Sequence, residues 1–312
     1  MTRPAEVVLA WVASVVGSPV VGVEGLREGE GPWLLRLGGA GGLEAVVLRT
    51  GDPELEGLGE QFATEAAALV VAGEHGVAAP RLLAADLDGR AAGTLAVLST
   101  VLPGSSRIPV RAGRERLRAL GAAAAALHAV PLAPGPGLPL RTRPIADMDF
   151  AALRRAHAPS PLFEAAELAV AQGAGTGPGG GTGLVHGDLW QGNVLLQDDT
   201  VTGFVDWDAA GAGHFGVDLG SLRCDAAVFF GERAAAEVLT GWTRASDREA
   251  PDPGVVAYWD LVAALSTPPD LAGWLPALTG QGRPELDAVT VTRRRDGFLR
   301  SALRQLGVDV EG

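Results

Sequence analysis

GLVHGDLWQGNVLLQDDTVTGFVDWD, residues 183–208, is the stretch on which the reading of this chain turns. Asp188 follows His186-Gly187, Asn193 comes five residues later, and Asp206 comes after a turn. Val194-Leu195-Leu196 and Gly203-Phe204-Val205 are short apolar runs of strand character. Asp198-Asp199-Thr200 between them is a hairpin-type turn signal. The spacing predicts a carboxylate and an amide on a loop ahead of a hairpin, and a second carboxylate where the hairpin ends.

Phosphoryl transfer from a nucleotide suits that arrangement, because it asks little covalent chemistry of a protein. It asks for a group that orients the attacking hydroxyl and for hard oxygen ligands that hold Mg²⁺ on the phosphates. Mg²⁺ takes one or two carboxylates together with phosphate oxygens and waters. Asp188 suits the first role, and Asn193 and Asp206 the second. The D-x-x-x-x-N spacing followed by a metal-binding Asp is that of the protein-kinase catalytic loop.

HGDLWQGN followed by FVDWD resembles the aminoglycoside phosphotransferase and choline kinase-like enzymes, small-molecule kinases with a protein-kinase-like fold. A bare HGD is common by chance; HGD with Asn at this offset, a following hairpin and a second Asp is not. The resemblance covers roughly residues 20–225. It implies an α+β fold of two lobes, a β-rich N-terminal lobe and a mostly helical C-terminal lobe. The boundary expected is 1–102 for the nucleotide-binding lobe and 103–312 for the catalytic and substrate-binding lobe.

The same resemblance assigns further residues. Arg49 stands where a kinase has its lysine, and a guanidinium can grip phosphate oxygens bidentately. Glu65, in E-A-A-A-L ahead of H-G-V-A-A-P, is expected to pair with Arg49; Glu60 is its competitor. Main-chain groups of Ser99, Thr100 and Val101 are expected to meet the purine of ATP or GTP. Asp218 matches an aspartate that braces the catalytic loop, while Gly213-His214-Phe215 departs from the usual G-D-P ahead of it. Asp208 is a further acid near the metal residues and is not assigned as a ligand. Asp225, Glu232, Asp260 and Asp270 are candidate partners for a cationic acceptor. Trp190 reads equally as cleft lining or core.

Composition sets bounds. The net charge is −12 over 312 residues, which argues against nucleic acid, where a basic stripe is wanted. It is compatible with a cationic acceptor. No apolar run is long enough for a membrane span. All 25 basic residues are arginine, so the usual kinase lysine is absent. The single cysteine, Cys224, excludes an internal disulfide and fits a reducing cytoplasm; it reads as a small buried apolar residue. The N-terminus reads as an amphipathic helix rather than a secretory signal.

Along the chain, helices are expected at 5–17, 54–74, 111–128, about 149–157 and 162–172, and strands at 19–24, 32–37, 43–49, 81–85 and 94–102. The Gly29–Gly31 turn is a candidate phosphate contact, although Glu28 and Glu30 oppose it. The Gly-rich run 172–183 lacks the G-K-[ST] end of a phosphate loop and reads as a linker. In 111–128 the arginines are expected to face water and Leu117, Leu120, Ala124 and Leu127 the core. Arg293-Arg294-Arg295 reads as a solvated helix face.

The function expected is transfer of the γ-phosphate of a nucleoside triphosphate to a hydroxyl of a small molecule. The leading acceptor is an aminoglycoside-like or other amine-bearing antibiotic. Fructosamine, macrolide, choline or homoserine kinase-like activity and a nucleotide-binding pseudokinase are the alternatives. A protein kinase is disfavoured, because no A-P-E segment follows Asp206.

Overall fold

The computed structural model describes residues 3–26, 31–39, 42–157, 160–173 and 181–309. The Gly29–Gly31 turn lies largely outside them, as does most of the 172–183 run. The chain divides into two compact units, Met1–Pro103 with Gly203–Ala209, and Gly104–Thr202 with Ala210–Gly312.

The first unit is built on one antiparallel sheet of β1 (Val20–Gly25), β2 (Trp33–Leu37), β3 (Ala45–Gly51), β4 (Leu82–Asp86) and β5 (Leu95–Thr100), in the order β1-β2-β3-β5-β4. Helix α1 (Glu6–Val16) packs Val8 and Val12 on Trp33, Leu35, Val46, Leu48 and Leu98, the buried face of the sheet. Alternation of apolar residues along β2 and β3 puts these side chains on one side, as a half-buried strand requires. Helix α2 (Leu58–Glu74) starts four residues later than expected. Gly57 ahead of it has φ +79°, a left-handed conformation that separates the turn at 52–57 from the helix. Residues 203–209 join this unit: the Phe204 N–H donates to the Ala78 carbonyl, and buried Trp207 returns its indole N–H to the Phe204 carbonyl.

The second unit is mostly helical. Its helices are α3 (Arg114–His128), α4 (Phe150–His157), α5 (Pro161–Gly173), α6 (Gly216–Phe230), α7 (Glu232–Ala245), α8 (Pro253–Leu265), α9 (Leu275–Gly280) and α10 (Ala288–Gln305). Three short strands, β6 (Leu140–Arg141), β7 (Gly183–Val185) and β10 (Gly211–Gly213), form a sheet in the order β6-β10-β7. β8 (Val194–Gln197) and β9 (Thr200–Phe204) form the expected hairpin. Asp198 and Asp199 turn it with φ of +50° and +59°, the double left-handed pair that matches strand twist. The second strand therefore starts at Thr200, ahead of the expected Gly203.

The core of this unit joins α5, α6, α8 and α10 through Phe163, Phe229, Leu261, Phe298, Leu299 and Leu303. Helix α6 is buried nearly all round, as a central helix must be. Leu117, Leu120, Ala124 and Leu127 face the core as expected.

Two charge readings are corrected. Arg116 is buried and bonds Asp199 and the Arg107 carbonyl. Arg295 is fully buried, and Arg294 donates to the Val228 and Phe229 carbonyls. Arg295 donates to the hydroxyl of Thr267 and to the carbonyls of Pro268 and Pro269. These carbonyls lie past the end of α8, where no helical donor reaches them, and a guanidinium supplies several donors at once.

Candidate functional site

In the first unit the site residues centre on Arg49. It sits on β3, opposite Val97 of β5. One guanidinium nitrogen donates to Glu65 Oε2 at 2.7 Å and the other to Asp208 Oδ2 at 2.6 Å; Asp206 Oδ1 lies 3.9 Å away. The guanidinium also lies over the Phe62 ring, 5.0 Å from its centroid. Burial works against its charge, but Glu65, Asp208 and Asp206 outweigh it and hold Arg49 firmly cationic. Burial pushes the Glu65 carboxyl up to about 7 against the pull of Arg49. Glu60, the competitor, is exposed on the same helix.

Asp206 has φ +69°, a left-handed conformation that Asp tolerates better than most residues but that still carries strain. Sequence reasoning assigns Asp208 no ligand role; its position two residues after Asp206 is the signal that places it beside Arg49. At the end of β5, Ser99 is buried and the Thr100 N–H is engaged by the Arg81 carbonyl. Val101 lies beyond the ladder and is 42% exposed.

In the second unit the loop between β7 and β8 carries Asp188 and Asn193. Asp218, fully buried on α6, accepts the His186 N–H at 2.7 Å on one carboxylate oxygen and the Gly187 N–H at 2.9 Å on the other. His128 Nε2 lies 3.1 Å from the first of these oxygens, and Trp242 Nε1 donates to His128 Nδ1 at 3.0 Å. The loop is thus fixed immediately before Asp188. Asn193 ends a short 3-10 turn, Gln191–Asn193. Its amide nitrogen donates to the Asp188 carbonyl at 2.9 Å and to Asp188 Oδ2 at 3.2 Å. Its amide oxygen is buried and accepts no hydrogen bond from the described residues. An orphaned hard oxygen of this kind fits a Mg²⁺ ligand, as does the carboxylate of Asp206.

Asp188 borders a cavity of about 200 Å³ that lies wholly within the second unit. Helix α6 contributes Ser221, Cys224, Asp225 and Val228 to its wall, spaced as one helical face. Trp190 comes from the loop, Ser266 and Thr267 from the end of α8, and Trp274 and Leu278 from the segment that follows. Trp190 lines this cavity and also packs on the core. Asp225 is buried, accepts the Gln191 N–H at 2.9 Å, and is pushed up to about 8 by burial. Burial likewise raises the Cys224 thiol.

Of the four acids offered for an acceptor, Asp225 alone lines this cavity. Asp260 is buried in a two-point pair with Arg223, Asp270 caps the 3-10 turn at Leu271–Trp274, and Glu232 is exposed in the first turn of α7. An ion pair between helices leaves no signature in a single sequence, whereas an Asp directly ahead of a helical turn is itself a cap signal. The wall residues Ser221 and Val228 were missed; the i, i+3, i+4, i+7 face of α6 was the signal.

Solved structures share this architecture. The macrolide 2'-phosphotransferase MphH from Brachybacterium faecium is 20% identical, with 99% of this chain and 100% of that one covered at a TM-score of 0.60. A thermostable mutant of the aminoglycoside phosphotransferase APH(4)-Ia, in a ternary complex with ADP and hygromycin B, is 16% identical over 94% of this chain and 98% of that one, at 0.58. APH(3'')-Id from Streptomyces rimosus, in complex with ADP and streptomycin, is 18% identical over 85% and 100%, at 0.56. At these identities the likeness shows the fold, a two-lobe, protein-kinase-like α+β architecture. A search of curated proteins gives no match. Residues 23–259, which include the loop, the hairpin and the Arg49 cluster, match the phosphotransferase enzyme family (APH), and the chain belongs to that family.

Proposed function

We propose that the protein transfers the γ-phosphoryl group of ATP or GTP to a hydroxyl of a small molecule, with an aminoglycoside-like or other amine-bearing antibiotic as the acceptor class. The observation that carries this reading is the loop: Asp188 borders a cavity, while Asn193, bonded to that same residue, presents a buried oxygen that accepts nothing from the described residues. The acceptor hydroxyl lies against Asp188. Its oxygen forms a bond to Pγ as the bond from Pγ to the β–γ bridging oxygen breaks. The hydroxyl proton passes to the Asp188 carboxylate, and ADP or GDP leaves.

Asn193 and Asp206 would hold Mg²⁺, which when bound neutralises charge on the phosphates. Arg49, oriented by Glu65, grips phosphate oxygens once Asp208 yields its nitrogen. The main chain at Ser99, Thr100 and Val101 meets the purine, with Val101 outside the ladder. On this reading residues 1–102 serve the nucleotide and 103–312 the acceptor and the chemistry, and the enzyme works in the cytoplasm, where its donor is.

Asp188→Asn is the test. Turnover should fall about 10²–10⁴-fold, the range of a lost general base, while calorimetry gives a Kd for the Mg²⁺–nucleotide within a few-fold of wild type. Equal losses in both would remove Asp188 from this role. Asp206→Ala should abolish Mg²⁺-dependent nucleotide binding and leave a cooperative unfolding transition. Binding that survives would take Asp206 out of the metal set.

A further inference from the structure

The cavity narrows the acceptor class, resting on the role of Asp188 just proposed. Its volume of about 200 Å³ is below the roughly 300–1,000 Å³ of sites that engulf drug-sized ligands. It admits one end of such a molecule. Trp190, Val228, Trp274 and Leu278 make much of its wall apolar. Its charged lining consists of two carboxylates, Asp188 and Asp225.

Asp225 stands apart from the other buried carboxylates of its unit. Asp260 receives both arms of Arg223, and Asp218 receives two main-chain N–H groups and His128. Asp225 receives the Gln191 N–H. Arg283, whose charge acts on Asp225, donates through two of its nitrogens to Glu285 and the Phe229 carbonyl. A buried carboxylate without a bonded cation is costly, and an ammonium beside it relieves that cost. One such carboxylate answers one ammonium. The rest of the cavity wall offers an entering ligand mostly apolar surface, Trp190, Val228, Trp274 and Leu278.

We propose that the acceptor carries one amine close to the hydroxyl that receives phosphate, with an apolar body beyond it. The ammonium pairs with Asp225 while the hydroxyl lies at Asp188, and the apolar body packs on Trp190 and Trp274, whose rings suit a partly wet, partly apolar contact.

Three probes separate the possibilities. Erythromycin is an apolar macrocycle bearing one amine beside a hydroxyl. Kanamycin is a hydroxylated polyamine, and octyl glucoside is a hydroxylated amphiphile with no amine. Calorimetry measures binding of each to the full chain, and mass spectrometry measures phosphate gain with Mg²⁺ and ATP or GTP. Erythromycin should bind more tightly than the other two and gain phosphate. Asp225→Asn, which keeps an oxygen for the Gln191 N–H, should weaken erythromycin at least about 30-fold, the scale of a broken buried charge pair, and leave octyl glucoside unchanged.

Asp225-dependent binding of erythromycin without phosphate gain would uphold this ligand class and count against the phosphotransfer reading. Phosphorylation of kanamycin in preference to erythromycin, or equal binding of erythromycin by wild type and variant, would overturn the ligand class and leave phosphotransfer standing. Neither binding nor phosphate gain with any of the three probes would overturn both. The ranking of the three probes on the wild-type chain stands even if the variant fails to fold.

Discussion

His128 shows how one side chain decides the state of its neighbours. An indole N–H can only donate, so Trp242 Nε1 fixes His128 Nδ1 as the acceptor. Nε2 then carries the proton and donates to Asp218. Asp218 therefore receives three hydrogen bonds, two of them from the main chain at His186 and Gly187. Asp218→Asn puts an amide N–H where one of those donors points. Leaving buried donors unmatched, with loss of the charge, costs about 2–4 kcal/mol. The urea midpoint should fall accordingly, and turnover should fall with it because Asp188 follows Gly187 directly. A midpoint unchanged from wild type would mean the brace does not bear on stability. The aspartate itself was legible in the sequence through its resemblance. The His128–Trp242 link was not, because its partners are separated by 114 positions and no local pattern ties them.

At the scale of elements, α3 and α7 meet backbone to backbone. A Cβ at Gly121 would lie 2.0 Å from the Val238 carbonyl oxygen, and one at Gly241 would lie 2.1 Å from that of Arg118. Main-chain atoms cannot rotate away, so Gly121→Ala must push the helices apart. The intrinsic helix gain of about 1 kcal/mol is outweighed by overpacking of about 1–3 kcal/mol or more, and thermal unfolding should shift down. Gly73→Ala, at an exposed position of α2 with open space around it, should raise stability by up to about 1 kcal/mol. A gain at both positions would show that the helix contact is loose. The periodicity of Leu117, Leu120, Ala124 and Leu127 made α3 legible in the sequence. The burial of Arg116 and Arg295 was not legible, because their partners are carbonyls and carboxylates brought in from elsewhere in the chain. A charge run looks solvated until the groups it satisfies are known.

For the molecule as a whole, buried titratable groups set opposite pH trends. His214 lies flat on Trp259, with ring centroids 5.0 Å apart, and accepts the Gly216 N–H on Nδ1. Burial, with the Arg248 guanidinium nearby, lowers its pKa from 6.5 to about 4. The unfolded chain therefore binds a proton there between about pH 6.5 and 4 that the folded chain refuses, and stability is lost as pH falls through that window. Glu65 and Asp225, raised to about 7 and about 8, run the other way: the stability their protonated forms contribute is lost as pH rises through those values. His214→Asn retains an acceptor for Gly216. It should flatten the acid limb between pH 6.5 and 4, where the slope for one such group is at most about 1.4 kcal/mol per pH unit and smaller for a side chain that keeps some solvent. Urea midpoints at several pH values in that window measure it, and parallel curves for wild type and variant would rule the group out. Helix α6 bears on a longer timescale. Gly216 and Gly220 lock it against Trp259, and Asp218 ties it to the loop, while Ser221, Cys224 and Val228 face the cavity. The lineage can therefore retailor what enters the cavity through three small side chains while the frame that aims Asp188 descends unchanged.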